Sequence, residues 1–416
     1  EHLRAPNLMP MAAGEKRDRW ESSSSDEEED EQNNQQQVDR ASEEIRSVSA
    51  PTCSSKTSNS LITAECTPSV ESSSSREATT ATAQPLSDNH NPLLQGCRSV
   101  YDSFERLDRL DEGTYGVVWK ARDLATDEIV ALKQIKFDNA DIMKDGFPIA
   151  ALREINVLLA LSHDNLVTVR EMVVGNDFDK VFMVMELMEM DLSEAMKRTQ
   201  SRPFPQADLK HMLHQILSAV YHIHDKWYLH RDLKTSNILV HKSGRIAVCD
   251  FGLARKYQLP LKALTQMVIT LWYRPPELLF GANVYGPEVD MWSVGCIFAE
   301  LIAKKALLQG QGELDQINKI FELLGTPSEE KWPDFETLPN SKIFRWRSKD
   351  GSKLREVFPV NSFSLGQAFL DGNGFNLLSR LLTLDPLKRI SATDALKHPY
   401  FYEGVEMPKK PRFQFD

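Results

Sequence analysis

The sequence predicts an α+β fold with two lobes, in which a small lobe rich in strands precedes a larger helical lobe. Between residues 103 and 135 apolar and polar residues alternate, which is the pattern of half-buried strands. After Asp191 the apolar residues recur mainly at helical spacing. Because the two patterns occupy separate stretches of the chain, we expect two packed lobes with a cleft where they meet.

The small lobe is predicted to hold an antiparallel sheet and one helix. Alternating segments at 104–110, 117–121 and 129–135 predict its strands. Apolar residues then recur at three-residue intervals, at Ile149, Leu152, Ile155 and Leu158. Pro148 precedes them, and because proline suits the first turn of a helix, a helix is predicted to begin there.

Two apolar stripes predict helices of the large lobe. The first comprises Leu209, Met212, Leu213, Ile216, Val220 and Ile223. The second comprises Val289, Trp292, Ile297 and Leu301. We place the small lobe at residues 98–189 and the large lobe at 190–402, with tails at 1–97 and 403–416.

The first 97 residues have the composition of a disordered tail. They are rich in Ser, Gln, Asn, Thr and acidic residues and contain one aromatic residue, Trp20. Up to His90 there are 17 acidic and 8 basic residues, so most of the net charge of −11 lies there. Such a segment buries too little apolar area to offset the entropy of ordering. A second interpretation makes this tail an interaction platform to which the folded part is attached.

Charge, hydropathy and cysteine spacing argue against several function classes. Outside the tail the chain is close to neutral, so direct nucleic-acid binding is not expected and protein partners stay open. No apolar run approaches the roughly 20 residues of a membrane span, so no membrane association is expected. The five cysteines are widely separated and form no CxxC pair, which indicates free thiols and no zinc site.

A glycine-containing turn in the small lobe predicts phosphate binding. Gly113 and Gly116 lie in segment 111–118, where backbone N–H groups can approach phosphates with no Cβ in the way. Lys133 lies in the 129–135 strand, where its ammonium could reach the α- and β-phosphates. Each feature also has an ordinary explanation, since two glycines suit a hairpin turn and a strand-end lysine can reach solvent.

Two motifs in the large lobe indicate phosphoryl transfer. The first reads HRDLKTSN at residues 230–237, and the second reads DFG at residues 250–252. Asp232 is predicted to accept the proton of a substrate hydroxyl, and Lys234 to neutralise charge on a γ-phosphoryl group. Asn237 and Asp250 supply the oxygen ligands that Mg²⁺ requires. Glu154, in the predicted helix, is expected to hold Lys133 by an ion pair when that helix is docked.

The order of these residues matters more than any one of them. Singly, each would be a cap, a turn or a surface charge. Together they follow the order of the protein kinase signature: Gly113, Gly116, Lys133, Glu154, Asp232, Asn237 and Asp250. Since phosphoryl transfer depends on positioning and charge neutralisation, this set predicts transfer of the γ-phosphoryl group of Mg-ATP.

Over about residues 98–402 the chain resembles the cyclin-dependent protein kinases. Lys234 within the catalytic loop resembles the Ser/Thr branch of that family. Segment 148–154 reads PIAALRE and is similar to the cyclin-binding helix, whose family form is Pro-x-x-x-x-Arg-Glu. It is closest to the subgroup named for its PITSLRE sequence, from which it differs at Ala150 and Ala151. Segments 97–100, 112–118, 126–133, 234–237 and 315–318 also resemble that subgroup.

The resemblance implies where ATP would bind. The implied positions are Gly113, Gly116, Val118, Ala131, Lys133, Glu186, Met188, Asp191 and Leu239. Met185 takes the gatekeeper position, and residues 186–188 form the hinge that would bond adenine through backbone groups. Asp191 would face the ribose.

The resemblance also implies control by phosphorylation. Thr265 is the residue that an activating kinase would phosphorylate, and three arginines would clamp the phosphate. Those arginines are Arg153, Arg231 and Arg255. Thr114 and Tyr115 match positions where phosphorylation inhibits the family, although they serve equally well as packing residues of the loop.

Substrate, partner and location follow from the resemblance alone. Segment 268–274 is similar to the family segment that accepts proline after the target Ser or Thr, with Thr270 near Asp232 and Lys234. Glu277 would pair with Arg389. The implied partners are an L-type cyclin and protein substrates with Ser/Thr-Pro sites. The implied location is the nucleus, with the cytoplasm as an alternative, and the implied role is in transcription, pre-mRNA splicing or the cell cycle.

Two rival interpretations share this fold. A mitogen-activated kinase would carry Thr-x-Tyr in the activation segment, where this chain has LTQM at 264–267. A pseudokinase scaffold usually lacks one of three residues, Lys133, Asp232 and Asp250, and all three are present.

Overall fold

The computed structural model describes residues 96–113, 116–135, 149–176, 180–199, 203–265, 268–343, 348–349, 351–360 and 370–408. The segment Cys97–Asp416 forms one compact unit. The acidic tail predicted for residues 1–97 lies almost wholly outside the described residues, as do Pro148, Thr114 and Tyr115.

A six-stranded sheet forms the first part of this unit. Its strands are β1 (Arg98–Ser99), β2 (Phe104–Gly113), β3 (Gly116–Asp123), β4 (Ile129–Gln134), β5 (Val169–Val174) and β6 (Val181–Glu186). Their spatial order is β1-β5-β6-β4-β3-β2, and β1 runs parallel to β5 while the other neighbours are antiparallel. Two helices accompany the sheet, α1 (Val100–Ser103) and α2 (Ile149–Ala160).

The burial of β4 shows how this sheet packs. Val130, Ala131 and Leu132 are buried in succession, whereas Lys133 is only partly buried. β4 and β6 are central strands, so their side chains contact neighbours on both sides, which favours β-branched and large apolar residues. The predicted strands and the helix after Pro148 are confirmed.

The second part is mainly helical. Its helices are α3 (Leu192–Arg198), α4 (Gln206–Asp225), α5 (Pro276–Leu279), α6 (Glu288–Ala303), α7 (Glu313–Leu324), α8 (Leu354–Val357), α9 (Gly372–Leu381) and α10 (Ala392–Leu396). Five short strands complete it: β7 (Met190–Asp191), β8 (Tyr228–Leu229), β9 (Ile238–Val240), β10 (Ile246–Val248) and β11 (Arg255–Lys256). They pair as β10-β9-β7 and as β11-β8.

Helices α4 and α6 build the core of the helical part. The predicted stripe of α4 is buried along its length, and α6 is buried on nearly all sides around Trp292. α6 packs against both α4 and α9, which accounts for its almost continuous apolar sequence. Both predicted stripes are therefore confirmed as core-facing helices. None of the helices described here has the length and apolar character needed to cross a membrane.

The start of the predicted C-terminal tail is anchored, which the sequence did not indicate. Lys210 on α4 is completely buried, and its Nζ donates hydrogen bonds to the carbonyl oxygens of Glu403 (2.6 Å) and Val405 (2.9 Å). The Lys210 ammonium also lies 5.1 Å from the ring centre of Tyr400. These contacts hold the chain against α4 as far as Val405.

Candidate active site

The predicted ion pair between sheet and helix is present. Lys133 Nζ on β4 lies 2.7 Å from Glu154 Oε1 on α2, and both side chains are largely buried. Burial alone would lower the pKa of Lys133, but the carboxylates of Glu154 and Asp250 outweigh it and hold that pKa above its ordinary value. The lysine therefore stays charged and faces both carboxylates.

Asp232 lies at the centre of a hydrogen-bond network. Its Oδ1 accepts from Thr270 Oγ1 (2.8 Å) and from the Thr270 backbone N–H (3.2 Å). Its Oδ2 accepts from Lys234 Nζ (2.8 Å) and Asn237 Nδ2 (3.1 Å). Lys234 also lies 3.4 Å from Thr270 Oγ1, as predicted. These hydrogen bonds fix the Asp232 carboxylate, and the residue is only 5% exposed.

Asn237 and Asp250 are brought together by the hairpin between β9 and β10. The Asn237 carbonyl oxygen accepts the N–H of Cys249 (3.0 Å), which places Asp250 next to it. The Asn237 Nδ2 group donates to Asp232, so its amide oxygen is directed away from that residue. One amide oxygen and one carboxylate suit Mg²⁺, which keeps several water or phosphate ligands. Among the described residues, no group of three or more His, Cys, Asp or Glu side chains is arranged to hold a metal ion.

The backbone at the two motifs is strained. Arg231 and Asp250 adopt left-handed φ angles of 67° and 64°, which non-glycine residues rarely do. His230 holds the two motifs together, since its Nε2 contacts the Cys249 carbonyl oxygen (3.0 Å) and its ring lies 4.8 Å from that of Phe251. His230 thus has a packing role.

Asp290 is a site residue that the sequence analysis missed. Its buried carboxylate accepts the backbone N–H groups of His230 and Arg231 (2.9 Å each) and contacts His224 Nε2 (2.9 Å). Burial alone would raise its pKa, but the hydrogen bonds and the facing imidazoles hold the pKa below the usual range for Asp. The available signal was an acid inside the apolar stripe of α6, between Val289 and Met291.

The hinge residues lie where the sheet joins the helical part. Ala131 pairs with Met185 across β4 and β6, and is buried. Met188 is also buried and packs with Leu239 on β9. Asp191 pairs with Leu239 in the β7–β9 ladder, and its Oδ1 caps helix α3 by accepting the N–H of Glu194 (2.9 Å). This places the predicted adenine-contacting and ribose-contacting residues on adjoining strands.

The glycine turn is described only in part. Gly113 and Gly116 are paired at the end of the β2–β3 hairpin. Val118 pairs with Lys133 across β3 and β4, so the strand that follows the glycine turn lies next to the Lys133 strand. The regulatory predictions for Thr114 and Tyr115 lie outside the described residues.

The predicted arginine clamp is partly assembled. Arg231 is buried, and it donates to the Leu253 carbonyl oxygen and to the Tyr285 hydroxyl (2.8 Å each). That hydroxyl donates in turn to the Thr265 carbonyl oxygen (2.5 Å), so the exposed Thr265 lies near Arg231. Burial lowers the pKa of Arg255, and the positive charges of Arg231 and Arg153 lower it further.

The end of the activation segment is tied to the helical core. Arg389 donates to both carboxylate oxygens of Glu277 (2.7 and 3.0 Å), and both side chains are buried. Such a two-pronged pair fixes geometry as well as charge. This predicted pair is present in the structure.

Fold and site define a protein of the protein kinase class, and the sequence comparison agrees. The protein kinase domain matches residues 104–401, so the chain belongs to the protein kinase family. Its relatives within that family are cyclin-dependent kinases of plants and mammals.

Three of these relatives indicate the degree of similarity. Cyclin-dependent kinase G-2 of Oryza sativa subsp. indica is 50% identical over 334 residues, which cover 80% of this chain and 46% of the relative. Cyclin-dependent kinase 11B of Homo sapiens is 52% identical over 312 residues, which cover 75% of this chain and 38% of the relative. The Rattus norvegicus protein of that name is 50% identical over 312 residues, which cover 75% of this chain and 69% of the relative. The chain spans less than half the length of the rice and human relatives, and the predicted resemblance to cyclin-dependent kinases is confirmed.

Proposed function

We propose that this chain is a cyclin-dependent protein kinase that transfers the γ-phosphoryl group of ATP to Ser or Thr hydroxyls. The observation that carries the proposal is the environment of Asp232, whose carboxylate is held by Thr270, Lys234 and Asn237. The Lys133–Glu154 pair, formed on the opposite side of the cleft, supports it further.

Each residue of the site has a distinct task in this proposal. Asp232 orients the attacking hydroxyl and accepts its proton, because its carboxylate is fixed and faces the cleft. Lys133 holds the α- and β-phosphates, and Lys234 neutralises charge on the transferred group. Asn237 and Asp250 would hold Mg²⁺, which supplies charge neutralisation on the phosphate oxygens.

The exposed face of α2 supports cyclin dependence. Leu159 is 66% exposed and Leu152 is 39% exposed, while Glu154 on the opposite face holds Lys133. A partner that covers these leucines would stabilise α2 in the position that keeps the ion pair. An L-type cyclin is the proposed partner, and that choice depends on the resemblance of segment 148–154 alone.

Substrate choice, activation and location extend the proposal. The 268–274 segment favours substrates with proline after the target residue. Phosphorylation of Thr265 by an activating kinase would place a dianion opposite Arg153, Arg231 and Arg255 and relieve their mutual repulsion. A nuclear role in transcription or splicing is proposed from the resemblance to the subgroup.

Transfer of labelled phosphate from Mg-ATP to a Ser-Pro-containing protein tests the proposal. We would compare the chain alone, the chain with an L-type cyclin, and the Asp232→Asn variant with that cyclin. The expected result is transfer that requires the cyclin and is lost in the variant. Transfer without any cyclin would contradict the proposed cyclin dependence. If no phosphate is transferred even when Thr265 is phosphorylated, a pseudokinase scaffold would be favoured.

A further inference from the structure

The Arg245 side chain contacts the hinge, residues 186–188. It lies at the start of β10, and its guanidinium Nη2 forms an ion pair with Glu186 Oε2 at the end of β6. Its Nη1 donates to the Asp164 carbonyl oxygen (2.8 Å), and its Nη2 also lies 3.5 Å from Met188 Sδ. One side chain therefore joins two hinge residues to the segment that precedes β5.

The Glu186 side chain extends this connection. Its second oxygen, Oε1, accepts the N–H of Thr168 (3.1 Å), while its own backbone N–H donates to the Thr168 carbonyl oxygen (3.3 Å). The Glu186 carboxylate is thus held by a backbone amide on one side and by Arg245 on the other. Such a carboxylate has little freedom to rotate.

The segment below the hinge is itself fixed. Val167 and Val248 are joined by a backbone hydrogen bond (3.0 Å), and Val248 donates to the Asn165 carbonyl oxygen (2.9 Å). Met188 is 7% exposed and packs on Val167 and Ala247. Arg245 therefore reaches the hinge from a part of the chain that these backbone hydrogen bonds fix.

Burial makes the ion pair more than a surface contact. The Arg245 side chain is 28% exposed and that of Glu186 is 20% exposed, so water screens their attraction only in part. The planar guanidinium meets a carbonyl oxygen, a carboxylate and a sulfur atom at once, which a lysine ammonium would match poorly.

We propose that Arg245 is a positioning residue for nucleotide binding, which acts through Glu186 and Met188 to fix the hinge backbone that receives the adenine ring. The inference rests on the proposed function, because it takes the cleft to be an ATP site. Arg245 touches neither the phosphates nor the reacting hydroxyl, so its effect falls on binding at the adenine end and not on phosphoryl transfer.

Kinetics of Arg245→Ala in the cyclin-bound chain test this inference. The expected result is a KM for ATP raised about fivefold, with kcat within about twofold of the wild type, because the binding lost is shared equally by the ground state and the transition state. The KM for the protein substrate stays unchanged. Arg245→Lys keeps the charge without the planar fork, so it is expected to recover part of the loss.

Arg122→Ala is the matched control. Arg122 also forms arginine–carboxylate pairs, with Asp127 (3.1 Å) and Glu105 (3.8 Å), but it lies on β3, which β4 separates from the strand that carries Glu186. Its removal is expected to leave the KM for ATP unchanged. Two results would show that Arg245 is only a structural residue and would overturn the inference. One is an equal rise in the KM for ATP in Arg245→Ala and Arg122→Ala. The other is a fall in both kcat and the melting temperature in Arg245→Ala.

Direct binding separates this inference from the proposed function. Isothermal titration of the full chain with a non-hydrolysable ATP analogue, and with adenosine, gives dissociation constants that need no catalysis. We expect Arg245→Ala to weaken both ligands by the same factor, whereas Lys133→Met weakens only the ligand that carries phosphates. If the wild type binds both ligands but transfers no phosphate, the proposed function fails. The inference is still supported in that case if Arg245→Ala weakens both ligands equally and Lys133→Met weakens only the ATP analogue. Unchanged affinity for adenosine in Arg245→Ala, or no nucleotide binding by the wild type, would refute it.

Discussion

Single buried carboxylates set the geometry of the candidate site. Asp232 faces the cleft and is held by side chains, whereas Asp290 lies beneath it and holds the backbone of the loop that carries it. Without Asp290, the backbone N–H groups of His230 and Arg231 would lose their acceptor, which is unfavourable in a buried loop. The left-handed φ of Arg231 would then have to be maintained without these hydrogen bonds. The accuracy of the Asp232 position thus depends on a residue 58 positions away in the chain.

Asp290→Asn is expected to impair both stability and activity. The amide NH₂ would face a backbone N–H, so one buried donor loses its acceptor, and the free energy of unfolding should fall by about 2 kcal/mol. Displacement of Asp232 should lower kcat at least about tenfold. Urea unfolding and initial-rate kinetics measure the two effects. Asp225→Asn, which alters an exposed Asp paired with Lys226, is the control, and equal effects in both variants would contradict the proposed role.

The Arg98–Asp123 pair gives stability a defined pH dependence. Hydrogen bonds from Arg98 hold the pKa of Asp123 below its usual range, although burial acts in the opposite direction. Because the folded-state pKa is depressed, the stabilisation is present above the unfolded pKa of about 4 and is lost as the pH falls through the folded value. Asp123→Asn should therefore destabilise the chain more at pH 6 than at pH 3. Urea titrations at both pH values measure this difference, and an equal loss at both would show that the ion pair contributes nothing.

At the scale of elements, α2 would link the proposed binding of a partner to the cleft. Its buried face presents Glu154 to Lys133, and its exposed face presents Leu152 and Leu159. A helix packed by one face alone has few tertiary contacts, so its position is sensitive to whatever covers the other face. This arrangement allows a partner to control an ion pair that it does not touch.

Leu159→Asp tests this link. Leu159 is 66% exposed, so the substitution should change the free energy of unfolding by less than about 0.5 kcal/mol. Cyclin-stimulated transfer should nevertheless fall, because a charge replaces apolar surface at the proposed interface. Leu124→Asp makes the same change at an exposed leucine of the β3–β4 turn and should leave stimulation intact. Equal stimulation of both variants would place the cyclin elsewhere.

At the scale of the whole molecule, ion pairs between distant residues tie the activation segment to the core. Glu277 and Arg389 are 112 positions apart, and Arg389 also donates to the carbonyl oxygens of Thr383, Glu288 and Leu384. One guanidinium therefore joins α5, the start of α6 and the segment after α9. Loss of this junction would release the segment that carries Thr270.

Arg389→Met should destabilise the whole domain. It leaves the Glu277 carboxylate, which is 3% exposed, buried without its partner, and such losses amount to about 3–5 kcal/mol. Adding Glu277→Leu should recover part of the loss, since an apolar pair can replace a buried ion pair. Thermal unfolding of the single and double variants measures both steps. A single variant as stable as the wild type would refute the structural role of the pair.

The amino-acid sequence determined those features that depend on local pattern. Alternation predicted the strands around Lys133, helical spacing predicted α4 and α6, and contiguous motifs predicted the neighbourhood of Asp232 and Asp250. These predictions succeed because strand and helix periodicity and short loops are properties of neighbouring residues. The family comparison then confirmed the class of protein.

The tertiary structure decided which distant side chains meet. Asp290 beneath the catalytic loop, Lys210 under the C-terminal turn and Arg245 below the hinge each contact partners far away along the chain. Periodicity does not identify the role of such a residue, because Asp290 and Lys210 read as interruptions of a helical apolar pattern and Arg245 reads as an ordinary charge beside a strand. Its role is fixed only when packing supplies the acceptor or the charge that offsets its desolvation.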